Sequence, residues 1–202
     1  MIEGHHPVEA WQALLPQQAA MLLDPTGIPW WIAGGWAIDL FLGRATRDHA
    51  DMDIAVPRAY QADLARAFAG WDIQVAMCGT LARWDAGDWL EGGPRHQLWA
   101  RPHPGAPWTL EFLLEEGSET HWHYRRNAGV TLPWPDFGRR DADGIPFVAP
   151  EVALLYKSTD PDSCKNAGDF AAALPCLPEG RKCWLAAALD LVHPGHGWRD
   201  RL

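Results

Sequence analysis

Two aspartates separated by a single residue, Asp51 and Asp53, stand at the mouth of an apolar segment in the run IAGGWAIDLFLGRATRDHADMDIAV from Ile32 to Val56. A strand that had only to fill a core would not open on two carboxylates, because like charges set side by side need a compensating cation. Residues two apart on a strand share a face, which would hold the pair roughly 6.5–7 Å apart at the backbone. Carboxylate oxygens in that arrangement suit Mg2+, which is commonly bound by one or two carboxylates together with substrate phosphates. Two such ions about 3.5–4 Å apart can hold both the attacking and the leaving oxygen of a phosphoryl displacement, and a third acid on a neighbouring strand would complete the site. Glu111, an acid within the apolar segment Trp108–Leu114, is the candidate; it could also take the proton of an attacking hydroxyl. Glu115 is the fallback.

The residues upstream supply groups for an anion. Gly34 and Gly35 precede an apolar helix, so the backbone could approach phosphate oxygens while the helix N-terminus offers free amides. Arg44 and Arg47 could add charge-assisted contacts to the same phosphates. Taken singly, each feature has a plainer reading: a solvated turn for D-x-D, a tight bend for G-G, exposed side chains for the arginines, and a partner for a buried arginine at Glu111. Their joint order, G-G, helix, R-x-x-R, D-x-D and then a later acid in an apolar strand, favours the functional reading.

The formal net charge of −9 argues against general nucleic-acid binding, which calls for a basic face, and leaves room for a local basic pocket. It favours a cationic partner, although the same charge also serves solubility. Cys78, Cys164, Cys176 and Cys183 lack C-x-x-C spacing, so neither a zinc knuckle nor a redox pair is expected. The pairs His121/His123 and His193/His196 have no further ligand at an obvious spacing and read as surface or loop residues. There is no apolar run of membrane-spanning length and no signal-peptide pattern, so a cytoplasmic location is expected. The thirteen tryptophans are scattered, which points to core and cleft packing rather than a periodic motif.

Apolar periodicity predicts helices over Val8–Leu23, Trp36–Leu42 (stopped by Gly43) and Pro57–Ala69, and strands over Asp51–Val56 and Asp72–Met77. Thr80–Glu115 reads as antiparallel hairpins and His121–Pro150 as a loop-dominated crossing. Helices follow over Glu151–Ser158, Lys165–Leu174 and Glu179–Val192. Strands in the middle and helices at the end give an α+β class, with a boundary expected near Phe147–Pro150 that divides residues 1–148 from a helical lobe of residues 149–202.

The segment GGWAIDLFLGRATRDHADMDIAV resembles the signature of the nucleotidyltransferase superfamily, the polymerase-beta-like fold, and within it the aminoglycoside adenylyltransferase-like branch. The later stretches APEVALLYKS and KNAGDFAAALPCL resemble the same branch, in which a P-E-x-x-L-L-x-K helix is followed by a K-x-x-x-D-F helix. The resemblance implies a mixed sheet flanked by helices with a small helical C-terminal lobe across the cleft. It matches Gly34 and Gly35 to the phosphate loop, Asp51 and Asp53 to the metal-binding pair, and Glu111 to the third acid. It also brings in His49, as a residue that orients Asp51, touches a phosphate or holds the turn, and Lys157 and Lys165, as lysines that reach the triphosphate or substrate or else remain on the surface. Asn166, following Lys165, departs from the branch, which has an acid there. The implied activity is Mg2+-dependent transfer of AMP from ATP to a hydroxyl of a small cationic acceptor such as an aminoglycoside, with Asp85, Asp88, Glu91, Glu115 and Glu116 available to line the cleft. The alternatives are nucleotide transfer to RNA or protein, and a nucleotide-binding protein without catalysis.

Overall fold

The computed structural model describes residues 10–85 and 87–202 and begins, after an extended stretch, with helix α1 (Pro16–Leu23). This helix is shorter than the predicted Val8–Leu23. Pro16 has no amide to donate and is accommodated at the first turn, so residues 10–15 stay extended and Trp11 bridges to Trp108. Val8 and Glu9 lie outside the described residues. Strand β1 (Trp31–Ile32) runs into helix α2 (Gly34–Leu42), which takes in both glycines and ends at Gly43 in the left-handed conformation. Strand β2 (Asp53–Pro57) opens on the second aspartate, so Asp51 sits in the turn before the strand rather than on it. A single 3-10 turn separates Pro57 from helix α3 (Gln61–Ala67). Strands β3 (Asp72–Met77), β4 (Thr80–Arg83), β5 (Gln97–Arg101) and β6 (Leu110–Gly117) form the expected antiparallel pairs.

The crossing region is more ordered than its loop-like composition predicts. It contains β7 (His121–His123), β8 (Thr131–Pro133), a single helical turn α4 (Trp134–Phe137), β9 (Gly138–Arg140) and β10 (Pro146–Val148). Three-residue strands are too short to show a period; they exist because a distant partner pairs with them, as β1 pairs with β10 through Ile32 and Phe147. Helices α5 (Pro150–Lys157), α6 (Cys164–Ala173) and α7 (Glu179–Val192) close the chain near their predicted bounds.

The ten-stranded sheet runs β4-β3-β5-β6-β2-β1-β10-β9, with β7 paired to β6 and β8 to β7. Among the described strands β2/β6 and β1/β10 pair in parallel and the others antiparallel, so the sheet is mixed, as the resemblance implied. At its centre Ile54, Val56, Phe112 and Leu114 are buried, each apolar side chain contributing roughly 1.5–3 kcal/mol. Helix α5 packs on α2, α6 and α7, with Leu154, Phe170 and Leu185 fully buried among them. This packing brings the α5 end that carries Tyr156 and Lys157 to the mouth of the β2/β6 pair. Among the described residues no helix is long and apolar enough to cross a membrane.

Candidate active site

The parallel register of β2 and β6 sets Asp53 directly opposite Glu111, and the turn before β2 adds Asp51. One carboxylate oxygen from each of the three lies within 4.8 Å of the others. None of them forms an ion pair with another described residue; Glu111 accepts a hydrogen bond from Gln97 Nε2 at 2.7 Å. Burial raises the Asp53 carboxyl well above the usual range, and the charges of Glu111 and Asp51 raise it further, against the opposing pull of Lys157 and Arg47. Burial and Asp51 likewise push Glu111 up to about 7, with the hydrogen bonds from Gln97 and Trp99 opposing. Three neighbouring carboxylates offering only oxygen donors fit a hard divalent cation, which would relieve the repulsion that helps to raise Asp53 and Glu111.

The glycine turn closes over this trio. Gly34 has φ +60°, and a Cβ there would fall 1.9 Å from Asp53 Oδ2; at Gly35 a Cβ would meet Arg47 Nη2 at 2.1 Å and His49 Nδ1 at 2.7 Å. Glycine at both positions is therefore a packing requirement as well as a way to expose amides. Beneath the turn, buried Asp39 accepts from Thr46 and is joined to His49 Nε2 at 2.6 Å, while the His49 ring packs on Trp36. His49 is thereby tied to helix α2 through Asp39 and Trp36. Asp39 belongs to the quoted G-G-W-A-x-D motif, so its presence was visible in the sequence although its partner was not.

Arg47 and Lys157, far apart in sequence, meet at one carboxylate. Asp169 Oδ1 lies 3.1 Å from Arg47 Nε, and Oδ2 lies 2.8 Å from Lys157 Nζ. Burial alone would raise the Asp169 carboxyl, but hydrogen bonds from Arg47 and Lys157 hold it below its ordinary value. Asp169 is the acid of the K-x-x-x-D-F motif and was not among the predicted site residues; its role depends on α6 packing against α2 and α5. Lys157 lines the cleft, as does Asn166. Arg44 and Lys165 are exposed and do not line it, so the structure does not bring these two to the other candidates.

The cleft, about 360 Å³, extends along β6 past Leu113 to a second group of polar side chains. Glu115 is buried there and accepts from Trp122 Nε1 at 2.7 Å and from the Tyr156 hydroxyl at 2.6 Å. Burial raises its carboxyl above the usual value, and these two donors oppose the rise. Arg125, Arg126 and His96 line the same end; burial and the nearby Arg125 lower His96 to about 4, which keeps it neutral at pH 7. Of the five acids expected to line the cleft, only Glu115 does. Glu116 points to the other face and pairs with Arg58, Asp85 pairs with Arg83, and Asp88 and Glu91 are exposed elsewhere.

Comparison with solved structures finds the same architecture in the crystal structure of ANT(2")-Ia in complex with adenylyl-2"-tobramycin, with a TM-score of 0.56 over 87% of this chain and 95% of that one, at 18% identity. The chain has a nucleotidyltransferase fold. Within that fold, residues 17–79 match the family model described as aminoglycoside-2''-adenylyltransferase, the stretch that carries the glycine turn and both aspartates. Curated relatives named 2''-aminoglycoside nucleotidyltransferase match over 53 residues, at 43% identity in Klebsiella pneumoniae and 42% in Escherichia coli. These matches cover 26% of this chain and span 30% of each relative's length. The nucleotidyltransferase fold thus extends over most of the chain, and the family-model match covers the segment that carries Asp51 and Asp53.

Proposed function

We propose that the protein transfers a nucleoside monophosphate, most simply AMP from ATP, to a hydroxyl of a small acceptor in the cytoplasm, releasing pyrophosphate. Residues 1–148 form the nucleotidyltransferase domain in this reading, and residues 149–202 form the helical lobe that supplies Lys157. The observation that carries it is the unpaired trio Asp51, Asp53 and Glu111 facing the Gly34–Gly35 turn.

Asp51, Asp53 and Glu111 would hold Mg2+, which neutralises charge on the transferring phosphoryl group and orients it. The turn amides, with Arg47 and Lys157 beside them, bind the β and γ phosphates. The acceptor oxygen forms a new bond to the α-phosphorus as the bridging bond to the β-phosphate breaks; pyrophosphate carries away that electron pair. In its alternative role, as base rather than metal ligand, Glu111 receives the hydroxyl proton. The relatives' names make aminoglycosides the first acceptors to try.

The test is pyrophosphate release from MgATP across aminoglycosides and lincosamides, run beside Asp53→Asn. Acceptor-dependent release that the variant loses supports the reading. Normal turnover in Asp53→Asn removes it, and nucleotide binding without release for any small acceptor moves the choice to RNA, protein or a non-catalytic binder.

A further inference from the structure

We propose that Arg125 anchors an anionic group, a carboxylate or phosphate, on the acceptor, so that the acceptor is not a simple polycation; this rests on the nucleotidyl-transfer reading above. Among the described residues Arg125 forms no ion pair and donates no hydrogen bond, although it is half-buried and lines the cleft. Its guanidinium lies over the Tyr156 ring, 5.6 Å from the ring centre, a cation–π contact that uses none of its N–H donors in a hydrogen bond. The acid nearest in character, Glu115, already accepts from Trp122 and Tyr156. None of the Arg125 nitrogens is sealed from solvent, so they are open to a ligand, and a planar anion bound through two parallel hydrogen bonds is the ligand that a guanidinium fits best.

The triphosphate has cations of its own at the other end. Lys157 and Arg47 both act on Asp53, whereas Arg125 acts on Glu115, four residues along β6 from Glu111 and so roughly 13 Å away. In an in-line displacement the acceptor enters opposite the leaving pyrophosphate. With pyrophosphate on the Gly34 side, the acceptor approaches from the Arg125 side. A polycation there would meet one buried carboxylate and two guanidiniums.

The experiment is calorimetric titration of inorganic phosphate, and separately of tobramycin, into the full chain saturated with a non-hydrolysable MgATP analogue. Wild type is compared with Arg125→Gln and Arg125→Lys. We expect saturable phosphate binding that weakens at least tenfold in Arg125→Gln and is partly restored in Arg125→Lys. Affinity for the nucleotide analogue should stay within twofold in both variants, which also shows that they fold. Tobramycin should bind Arg125→Gln more tightly than wild type. Phosphate binding that is absent or unchanged by Arg125→Gln overturns the proposal. So does a parallel loss of nucleotide affinity, which would give Arg125 to the triphosphate, or tight tobramycin binding to wild type that Arg125→Gln does not improve. Failure of the analogue to bind wild type at all would instead count against the nucleotidyl reading, and phosphate titrated alone would still report on Arg125.

Discussion

The two ends of the cleft each contain buried carboxyl groups, but they handle charge in opposite ways. At the Asp53 end three acids face one another with no cation paired to them among the described residues, and burial and neighbouring carboxylates raise the carboxyls of Asp53 and Glu111. At the Glu115 end a single acid is satisfied internally by an indole and a phenol, and the Arg125 guanidinium beside it forms no ion pair or hydrogen bond among the described residues. In the reading proposed above, the carboxylate trio receives a cation and Arg125 an anion.

The sharpest way to break this comparison is Gly34→Ala. Left-handed backbone costs a non-glycine residue about 1–2 kcal/mol, and the added methyl would displace the Asp53 carboxylate. We expect nucleotidyl transfer to fall by roughly 100-fold, a loss of about 3 kcal/mol in transition-state stabilisation, with a smaller drop in thermal stability. Steady-state pyrophosphate release and a melting curve check both parts.

A second expectation concerns pH and metal. Glu111 moves from 4.5 to about 7 on folding, so the folded protein holds a proton that the unfolded chain gives up across that interval. Without metal, stability should therefore fall as pH rises from about 4.5 to about 7, by on the order of 2–3 kcal/mol from this group, and Asp53 acts in the same direction. Mg2+ should restore it, raising the melting temperature more at pH 8 than at pH 5. An equal effect of Mg2+ at both values would mean that the ion does not bind this trio.

At the other end, Tyr156→Phe removes one of two donors to buried Glu115 and should destabilise the fold by about 1–3 kcal/mol in chemical denaturation. Added Mg2+ should not compensate, which separates the internally satisfied end from the open one. The smallest effect is expected for Arg44→Ala, an exposed site outside the cleft: stability within about 0.5 kcal/mol, and a Michaelis constant for ATP within about twofold. A tenfold rise would return Arg44 to the phosphate site.

The sequence by itself determined the features whose cause is local. Gly34–Gly35, the helix after them, the stop at Gly43, the D-x-D pair and the three C-terminal helices all follow from backbone freedom, capping and a short-range period. Even the positions of Asp39 and Asp169 could be read from their motifs. Tertiary structure decided what each of them meets: Asp53 faces Glu111 because β2 and β6 pair in parallel in one register, and Arg47 meets Lys157 at Asp169 because α6 packs on both α2 and α5. The three-residue strands of the crossing region, the exclusion of Arg44 and Lys165 from the cleft, and the free Arg125 were decided in the same way. A period or a cap is set by neighbours along the chain, but strand register and the pairing of buried charges depend on contacts between distant residues, which exist only once the sheet and helices have packed.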